Sequence, residues 1–402
     1  MAPLTRRGRW LLALGFGVYV AAWAFGSKPL YPVATGLLLA VAVAWVWIRL
    51  ADRPFGARRG WGDLEHIEGD NVPVIVELEP TGTVLPASVT LVEHIGRLGE
   101  QRHSMRRHGR RFSVRYTLER VPRGRYTFEN VRAELGDPFG LEGVIMSLPT
   151  PGALLVYPRL ARLERLFSES GGRSHDGRRL LLRRQSGFEL HSVREYEEGE
   201  SLRRVHWPST ARRGQLMVKE LEDSPRDEIA VLLDADSKAV VGESFDVQVR
   251  AAGSILDAHV RENRRAVLVV NSARREVQHV HSPAADWQRA LEVLAAAEAT
   301  GSIPAAGLLG EEDGPVARAL DLAVVTARLE PGLVDRLLQR ALSRRNVSVV
   351  YVDPASFSGR TPKPEPALLR LDAAGVPVAV VRAGDNLGER LAGAPGQQAL
   401  HG

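Results

Sequence analysis

One segment of the sequence gathers most of the side chains that could bind a partner or take part in a reaction. Residues 186–222 combine basic groups, carboxylates, aromatic rings and small residues: Arg194, Glu195, Tyr196, Gly199, Glu200, Arg203, Trp207, Ser209, Ala211 and Arg212. A guanidinium group pairs with a carboxylate through two parallel hydrogen bonds and also stacks on aromatic rings. The segment is therefore expected to form an ion-pair network that fastens it to the neighbouring domain. The alternative is a docking surface for a partner protein, because Arg, Trp and Tyr are enriched at binding hot spots.

A catalytic centre in this segment has less support than either of those interpretations. His206 could act as a base and Ser209 as a nucleophile, but no acid stands at a recognisable spacing to orient the imidazole. Pro208 restrains its own backbone and that of Trp207, so residues 207–209 are predicted to form a rigid loop. The sequence also lacks a phosphate-binding glycine loop, a His-Glu-x-x-His motif and a Gly-x-Ser-x-Gly elbow. We therefore expect no catalytic residues and a protein that is not an enzyme.

Two further acidic residues stand where a strand is predicted to end. Asp234 and Asp236 follow the apolar run 229–233, and such a strand end is a favoured place for ligands in an open α/β sheet. Their oxygens could hold a divalent cation, whereas Lys238, two residues further on, would repel one. The other interpretation is that Asp234 caps the following turn or pairs with the segment 186–222.

Alternating strands and helices are predicted to position these residues. From residue 229 onward, apolar runs alternate with amphipathic segments of helical length, which indicates a mostly parallel sheet covered on both faces. The predicted strands are 229–233, 266–271, 322–326, 347–352 and 376–381, and the predicted helices are 245–262, 283–299, 331–343 and 366–374.

Residues 60–160 have the pattern of an antiparallel β-sandwich. Short strand-like runs at 72–78, 89–92, 112–118 and 126–131 are separated by turns rich in Gly, Pro and Asp. The run 101–111 holds five Arg and two His without an acid, and it is predicted to be a solvated hairpin loop. The alternative for this run is a patch that faces acidic lipid headgroups. Residues 161–185 are predicted to form a linker.

Two apolar segments predict a transmembrane helical hairpin within residues 1–59. Residues 10–27 and 30–48 carry no charge. At about 1.5 Å per residue each segment reaches roughly 27–29 Å, which is close to the hydrocarbon thickness of a bilayer. A cleaved signal peptide is the alternative interpretation of the first segment.

The distribution of charge agrees with a membrane-bound chain rather than a nucleic-acid-binding one. The net charge is +5, but residues 1–59 hold eight of the 53 basic residues and one of the 48 acidic ones. The rest of the chain is therefore slightly acidic, and no nucleic-acid partner is expected. The chain contains no cysteine, which excludes disulfide and thiolate chemistry.

The segment 186–222 resembles the signature of the domain-of-unknown-function 58 family. The resemblance lies in Arg-Glu-Tyr at 194–196, Gly-Glu at 199–200, the basic-aromatic run to Trp207, and Ser-Thr-Ala-Arg at 209–212. It extends over most of residues 60–390. It implies a signature segment at 186–228, an α/β domain of the von Willebrand factor A (Rossmann-type) kind at 229–393 and a short tail at 394–402.

The resemblance also implies what the acidic strand end does. Von Willebrand A-type domains often bind Mg²⁺ through Asp-x-Ser-x-Ser at this turn, with a Thr and an Asp from later loops. Asp234 matches the first ligand, but Asp236 and Lys238 stand in the two Ser positions, and no acid follows Thr326. We therefore interpret the metal site as degenerate and expect no cofactor.

A partner is implied by the same resemblance. Similar proteins are typically encoded beside a MoxR-type AAA+ ATPase, which implies a membrane-anchored adaptor that couples such an ATPase to envelope or complex-assembly work. The alternatives are a metal-dependent hydrolase that uses Asp234 and Asp236, and an outward-facing metal-dependent adhesion domain.

The soluble region is predicted to lie in the cytoplasm. Three Arg precede the first apolar segment and four follow the second, against one Lys in the turn, and basic residues favour the cytoplasmic side of a membrane. A reporter fused after Gly402 should therefore show cytoplasmic-type activity. An externally accessible C-terminus in intact cells would reverse this topology and favour the adhesion alternative.

Overall fold

The computed structural model describes residues 4–62, 65–164, 189–195, 205–222, 228–281, 285–311, 314–343, 345–360 and 364–392, with the backbone alone for 189–195 and 218–222. The chain divides into two compact units, Met1–Tyr157 and Pro158–Gly402. Each is described by itself below.

Two helices open the first unit. Helix α1 spans Arg6–Ala24 and α2 spans Leu30–Ala51. They pack closely at Gly15, where a Cβ atom would lie only 3.1–3.2 Å from side-chain atoms of Leu37 and Leu38. Among the described residues, α2 is the helix that is long and apolar enough to cross a membrane. The prediction of an apolar N-terminal helix is therefore confirmed.

In the described part of the first unit, nine strands follow and form two sheets, ordered β1-β3-β7-β6 and β2-β9-β8-β4-β5. Their pairings are antiparallel apart from β2 with β9. The strands are β1 (Phe55–Gly60), β2 (His66–Ile67), β3 (Val72–Pro80), β4 (Ser88–His94), β5 (Glu100–Ser104), β6 (Arg106–His108), β7 (Arg111–Leu118), β8 (Gly124–Gly136) and β9 (Gly143–Tyr157), with a 3₁₀ helix at Gly96–Leu98. Side chains from both sheets share one buried hydrophobic cluster, in which β3 contributes every second residue.

The prediction of a loop at residues 101–111 is wrong. Most of this run lies in β5 and β6, and the chain turns at Gly109, which has a positive φ of 61°. No residue of β5 or β6 is fully buried. Because both faces of these strands are polar, the sequence shows none of the alternation by which half-buried strands are recognised.

A buried ionic network connects the two sheets of the first unit. Arg59 of β1 and Glu93 of β4 form an ion pair in which each side chain is 3% exposed. The hydroxyl of Tyr116, on β7, donates a hydrogen bond to the other carboxylate oxygen of Glu93. The Arg59 guanidinium also lies over the Phe128 ring, 4.2 Å from its centroid. Burial raises the pKa of Tyr116 to about 12, so its hydroxyl stays protonated as a donor at neutral pH.

The second unit is built on a six-stranded sheet in the order β14-β13-β12-β15-β16-β17. Five neighbouring strands are parallel, and β14 is antiparallel at the edge. The strands are β12 (Glu228–Leu233), β13 (Arg265–Val270), β14 (Glu276–Val280), β15 (Asp321–Thr326), β16 (Asn346–Val352) and β17 (Val378–Val381). The predicted strand–helix alternation is confirmed, but β14 was missed because its residues are mostly polar and partly exposed.

Helices lie against both faces of this sheet. They are α4 (Ser244–Arg261), α5 (Ala285–Ala296), α6 (Ala305–Leu309), α7 (Pro315–Arg318), α8 (Pro331–Leu342), α9 (Pro366–Ala373) and α10 (Leu387–Leu391), with a 3₁₀ helix at Pro354–Ser358. Val231 and Leu233 of β12 belong to one hydrophobic cluster, and Ala230 and Leu232 belong to the other. Because successive side chains of a strand point to opposite faces, β12 is buried on both sides.

A two-stranded antiparallel ribbon completes the second unit. It pairs β10 (Glu189–Glu195) with β11 (Met217–Glu222), and helix α3 (Trp207–Arg213) lies between them in the sequence. This ribbon and helix contain the described part of the segment 186–222.

The buried ion pair of the first unit generates a prediction about stability. Glu93→Ala should lower the free energy of unfolding by about 3–5 kcal/mol, because Arg59 then keeps a buried charge without its carboxylate partner. Denaturant melts monitored by a signal from the β strands measure this loss.

The exposed pair of Arg102 with Glu134 provides the matched control. Glu134→Ala should cost less than about 1 kcal/mol, since solvent screens an exposed pair. Equal losses in the two variants would contradict a special contribution from the buried pair.

Candidate functional site

Three polar side chains meet at the carboxyl ends of three adjacent strands of the six-stranded sheet. Asp234 follows β12, Asn271 follows β13 and Thr326 ends β15. These three strands are parallel neighbours, so their carboxyl ends lie side by side. In open α/β sheets, ligands often bind at the carboxyl ends of the strands, at the point where the strand order reverses. Here β13 lies on one side of β12 and β15 lies on the other.

The carboxylate of Asp234 is the centre of this group. It is 5% exposed, and it accepts a hydrogen bond of 2.8 Å from the Thr326 hydroxyl and one of 3.3 Å from the Asn271 amide. It also accepts the backbone N–H of Asp236, so it caps the turn after β12. Burial raises the pKa of Asp234, and the hydrogen bonds from Thr326 and Asn271 oppose that shift.

A guanidinium group stands beside the second carboxylate. Arg328 Nη1 lies 3.1 Å from Asp236 Oδ2, and Arg328 Nη2 lies 3.1 Å from Glu330 Oε1. Lys238, expected to be the adverse cation, instead donates its backbone N–H to Asp236. Two carboxylates and a hydroxyl are suitable oxygen ligands for Mg²⁺, but a nearby positive charge repels a dication. The arrangement therefore supports the interpretation of a degenerate metal site.

Sequence reasoning missed two members of this site. Asn271 could have been found, because it is a polar residue that directly follows an apolar strand. Arg328 gives no such signal, because it lies 92 positions from Asp236 in the sequence. The two residues come close because β12 and β15 are adjacent in the sheet.

A second group of possible metal ligands lies at the opposite end of the same sheet. Glu228 Oε1, at the start of β12, lies 3.1 Å from His279 Nδ1 and 3.4 Å from His281 Nε2. Two imidazole nitrogens and a carboxylate oxygen are a ligand set that suits Zn²⁺. Arg265 lies opposite Glu228 in the ladder between β12 and β13, however, and its charge would oppose a cation there.

The short helix α3 displays the aromatic residue of the segment 186–222. Trp207, its first residue, is 65% exposed, and Ala211 and Arg212 are also exposed, whereas Ser209 is half-buried. A large apolar side chain that remains exposed in this way is available for contact with a partner.

Hydrogen bonds fix α3 to the ribbon. The backbone N–H of His206 donates to Met217 O at 2.7 Å, and the Thr210 hydroxyl accepts from the backbone N–H of Met217 at 3.0 Å. Met217 and Val205 are buried beside these bonds. Gly214, with a φ of 69°, ends the helix in the left-handed region. The position of Trp207 is thus set by contacts on both sides of it in the sequence.

The prediction of a rigid loop at 207–209 is wrong, because these residues form the first turn of α3. Proline is tolerated there, since the first backbone N–H groups of a helix have no partner within it. His206 Nδ1 lies 2.8 Å from Ser209 Oγ, which is the spacing of a base and a nucleophile. Within the described residues, no carboxylate is hydrogen-bonded to the other nitrogen of this ring. The pair is therefore interpreted as local bonding at the start of a helix.

The other predicted residues of the segment are described only in part. Backbone pairing places Arg194 opposite Val218 and Glu195 opposite Met217 in the ribbon. Tyr196, Gly199, Glu200 and Arg203 lie outside the described residues.

Comparisons with known proteins identify the region that contains both α3 and the Asp234 site. Residues 192–356 match the profile of the family described as "Protein of unknown function DUF58". These residues are similar to the DUF58 family. The DUF58 region begins within β10 and ends in the 3₁₀ helix Pro354–Ser358. The family resemblance predicted from the sequence is therefore confirmed for residues 192–356.

A curated relative matches about half of this chain. The chain is 28% identical over 221 residues to the "Uncharacterized protein YeaD" of Bacillus subtilis (strain 168). The match covers 55% of this chain and 54% of the relative, so the chain spans about half the length of the curated relative it matches. Neither description names an activity.

The Asp234 site generates a prediction about divalent cations. Thermal melts of the full chain in EDTA and in excess Mg²⁺ should coincide, because Arg328 places a positive charge beside Asp236. A cation that binds the native state alone would raise stability by roughly 2.7 kcal/mol at a hundredfold excess over its dissociation constant.

Two variants make this measurement specific. Asp234→Ala and Asp335→Ala, the latter at an exposed carboxylate on α8, should both remain insensitive to Mg²⁺. A rise of several degrees with Mg²⁺ in the wild type that is lost in Asp234→Ala alone would show that the strand end still binds metal.

Proposed function

We propose that this protein is a membrane-anchored, non-enzymatic adaptor that docks a partner protein through α3. The observation that carries the proposal is the exposure of Trp207 and Arg212 on a short helix whose base is hydrogen-bonded to a ribbon. Trp and Arg are among the residue types that contribute most to interface hot spots. A docking helix needs a fixed position, and the bonds from His206 and Thr210 to Met217 supply it.

The architecture that we propose has three parts. Helices α1 and α2 form a transmembrane hairpin, the strands β1–β9 form an antiparallel β-sandwich, and the sheet β12–β17 with its helices forms a von Willebrand A-like domain. The hairpin is supported by the close packing at Gly15 and by the apolar surface of α2. A parallel sheet with one antiparallel edge strand and helices on both faces supports the Rossmann-type assignment.

A cytoplasmic orientation and an ATPase partner belong to the same proposal. The basic residues that flank α1 and α2 favour the cytoplasmic side for the soluble region. The family resemblance suggests a MoxR-type AAA+ ATPase as the partner, with envelope or complex-assembly work as the process. The metal-dependent alternatives are less well supported, because Arg328 adds a positive charge where a hydrolase or adhesion site would hold its cation.

Partner capture tests the proposal directly. Tagged wild-type protein and the Trp207→Ala variant are purified from native membranes at equal abundance, and the bound proteins are identified by mass spectrometry. The proposal expects an AAA+ ATPase with the wild type and its loss with the variant. Recovery of the same proteins with both would argue against α3 as the docking element.

Stability and binding should separate within the segment 186–222. We predict that Trp207→Ala and Arg212→Ala keep the free energy of unfolding within about 1 kcal/mol of wild type, because exposed side chains leave no buried partner behind. Binding should weaken by about 2 kcal/mol or more, as at an interface hot spot. By contrast, Arg194, Glu195 and Tyr196 are predicted to be structural, so Arg194→Ala should unfold more easily.

Denaturant melts and the affinity for the captured partner measure the two effects. Arg213→Ala is the matched control, since Arg213 is the exposed neighbour of Arg212 on the same helix. This division of roles fails if Trp207→Ala destabilises the protein as much as Arg194→Ala does.

A further inference from the structure

The first unit contains an apolar groove beside α2. Its volume is about 680 Å³. The groove is lined by one side of α2, by the loop after β3 and by one arginine: Leu39, Ala42, Val43, Val46, Trp47, Leu50, Thr83, Val84, Leu85 and Arg107. Between Leu39 and Leu50 the helix covers about 16 Å at 1.5 Å per residue, so the groove is long enough to hold much of a hydrocarbon chain.

Hydrogen bonds build this groove from three separate segments. The indole N–H of Trp47 donates to Leu85 O at 3.1 Å, which joins the helix to the loop. Arg110 Nη2 donates to Gly82 O at 2.6 Å, which joins the turn between β6 and β7 to the same loop. A Cβ atom on Gly82 would lie 2.9 Å from the Arg53 side chain, so Arg53 also lies against this loop.

Four of the five arginines of the basic run 101–111 fall into two groups. Arg102 is paired with Glu134, and Arg111 is paired with Glu79. Arg107 and Arg110 instead donate to the backbone oxygens of Gly109 and Gly82, and within the described residues neither forms an ion pair. Both are exposed, as is Arg53. The mouth of the groove therefore combines an apolar channel with positive charge that the described carboxylates do not balance.

We propose that this groove binds one anionic phospholipid. An acyl chain lies along α2 from Leu39 to Leu50, and the phosphate contacts Arg107 and Arg110 at the mouth. The charge at the mouth is complementary to a phosphate, whose oxygens suit the guanidinium fork. The length of the apolar channel selects a lipid rather than a free anion. The inference rests on the proposed membrane anchorage of α2, because a helix in a bilayer brings the groove to the level of the headgroups.

Native mass spectrometry of the full chain in detergent tests the proposal. The protein is titrated with phosphatidylglycerol and with phosphatidylcholine of the same acyl chains. We expect one phosphatidylglycerol to bind in clear preference to phosphatidylcholine. The double variant Arg107→Ala/Arg110→Ala should lose that preference by about tenfold or more, given the affinity that each arginine contributes at an anionic surface.

Three further variants and one competitor identify the site. Val46→Trp, which fills the groove, should weaken the binding of both lipids, whereas Arg102→Ala and Arg111→Ala, at the paired arginines, should bind as the wild type does. Equal binding of the two lipids, or unchanged binding by the double variant, would overturn the proposal. Displacement of phosphatidylglycerol by inorganic phosphate alone would also overturn it, because the site would then be an anion site without a role for the acyl chain.

Failure of the lipid site and failure of the anchor can be told apart. Membranes that carry each variant are washed with alkaline carbonate and the retained protein is measured. Wild-type protein that is retained without a preference for phosphatidylglycerol would overturn the lipid site alone. Protein that is released by the wash would overturn the anchorage as well.

Discussion

Burial of β12 on both faces is the constraint on which the second unit depends. Its side chains enter two separate hydrophobic clusters, and its backbone is paired with β13 on one side and β15 on the other. If such a strand shifted its register by one residue, each of its side chains would move from the hydrophobic cluster on one face of the sheet to the cluster on the other face. The residue that follows it is therefore fixed as well, and this is why Asp234 meets Asn271 and Thr326 although they are far apart in the sequence.

Some charged side chains of this protein form ion pairs within the fold, whereas others are exposed and can contact another molecule. Arg59 with Glu93 in the first unit, and Arg328 with Asp236 in the second, form ion pairs within the fold. A group that already has its partner gains little by exchanging it for another molecule. Within the described residues, the guanidiniums of Arg107 and Arg110 donate to backbone oxygens but form no ion pair, and the indole of Trp207 is exposed.

The sequence predicted the elements whose burial is periodic. The parallel strands and long helices of the second unit were predicted because their buried faces produce apolar runs and 3.6-residue repeats in the sequence. Strands β5, β6 and β14 were missed because their side chains are mostly polar and exposed, so their sequences lack an apolar pattern. The sequence predicted a loop at 207–209, where α3 begins, because Pro208 is compatible both with a rigid loop and with a first helical turn. In the candidate site, Asp234 and Asp236 could be found from their place after a strand, whereas Arg328 required the strand order, which follows from non-local pairing.

The short connection between α2 and β1 has a mechanical consequence. Only residues 52–54 separate the two elements, and Thr81 of the neighbouring loop donates both its backbone N–H and its hydroxyl to Pro54 O. Five residues further along, Arg59 locks β1 to the other sheet through Glu93. The helix and the sheets of the first unit are thus joined without a hinge. In a bilayer, any change in the tilt of α2 would turn those sheets through the same angle, so membrane thickness and lateral pressure would act on the orientation of the first unit.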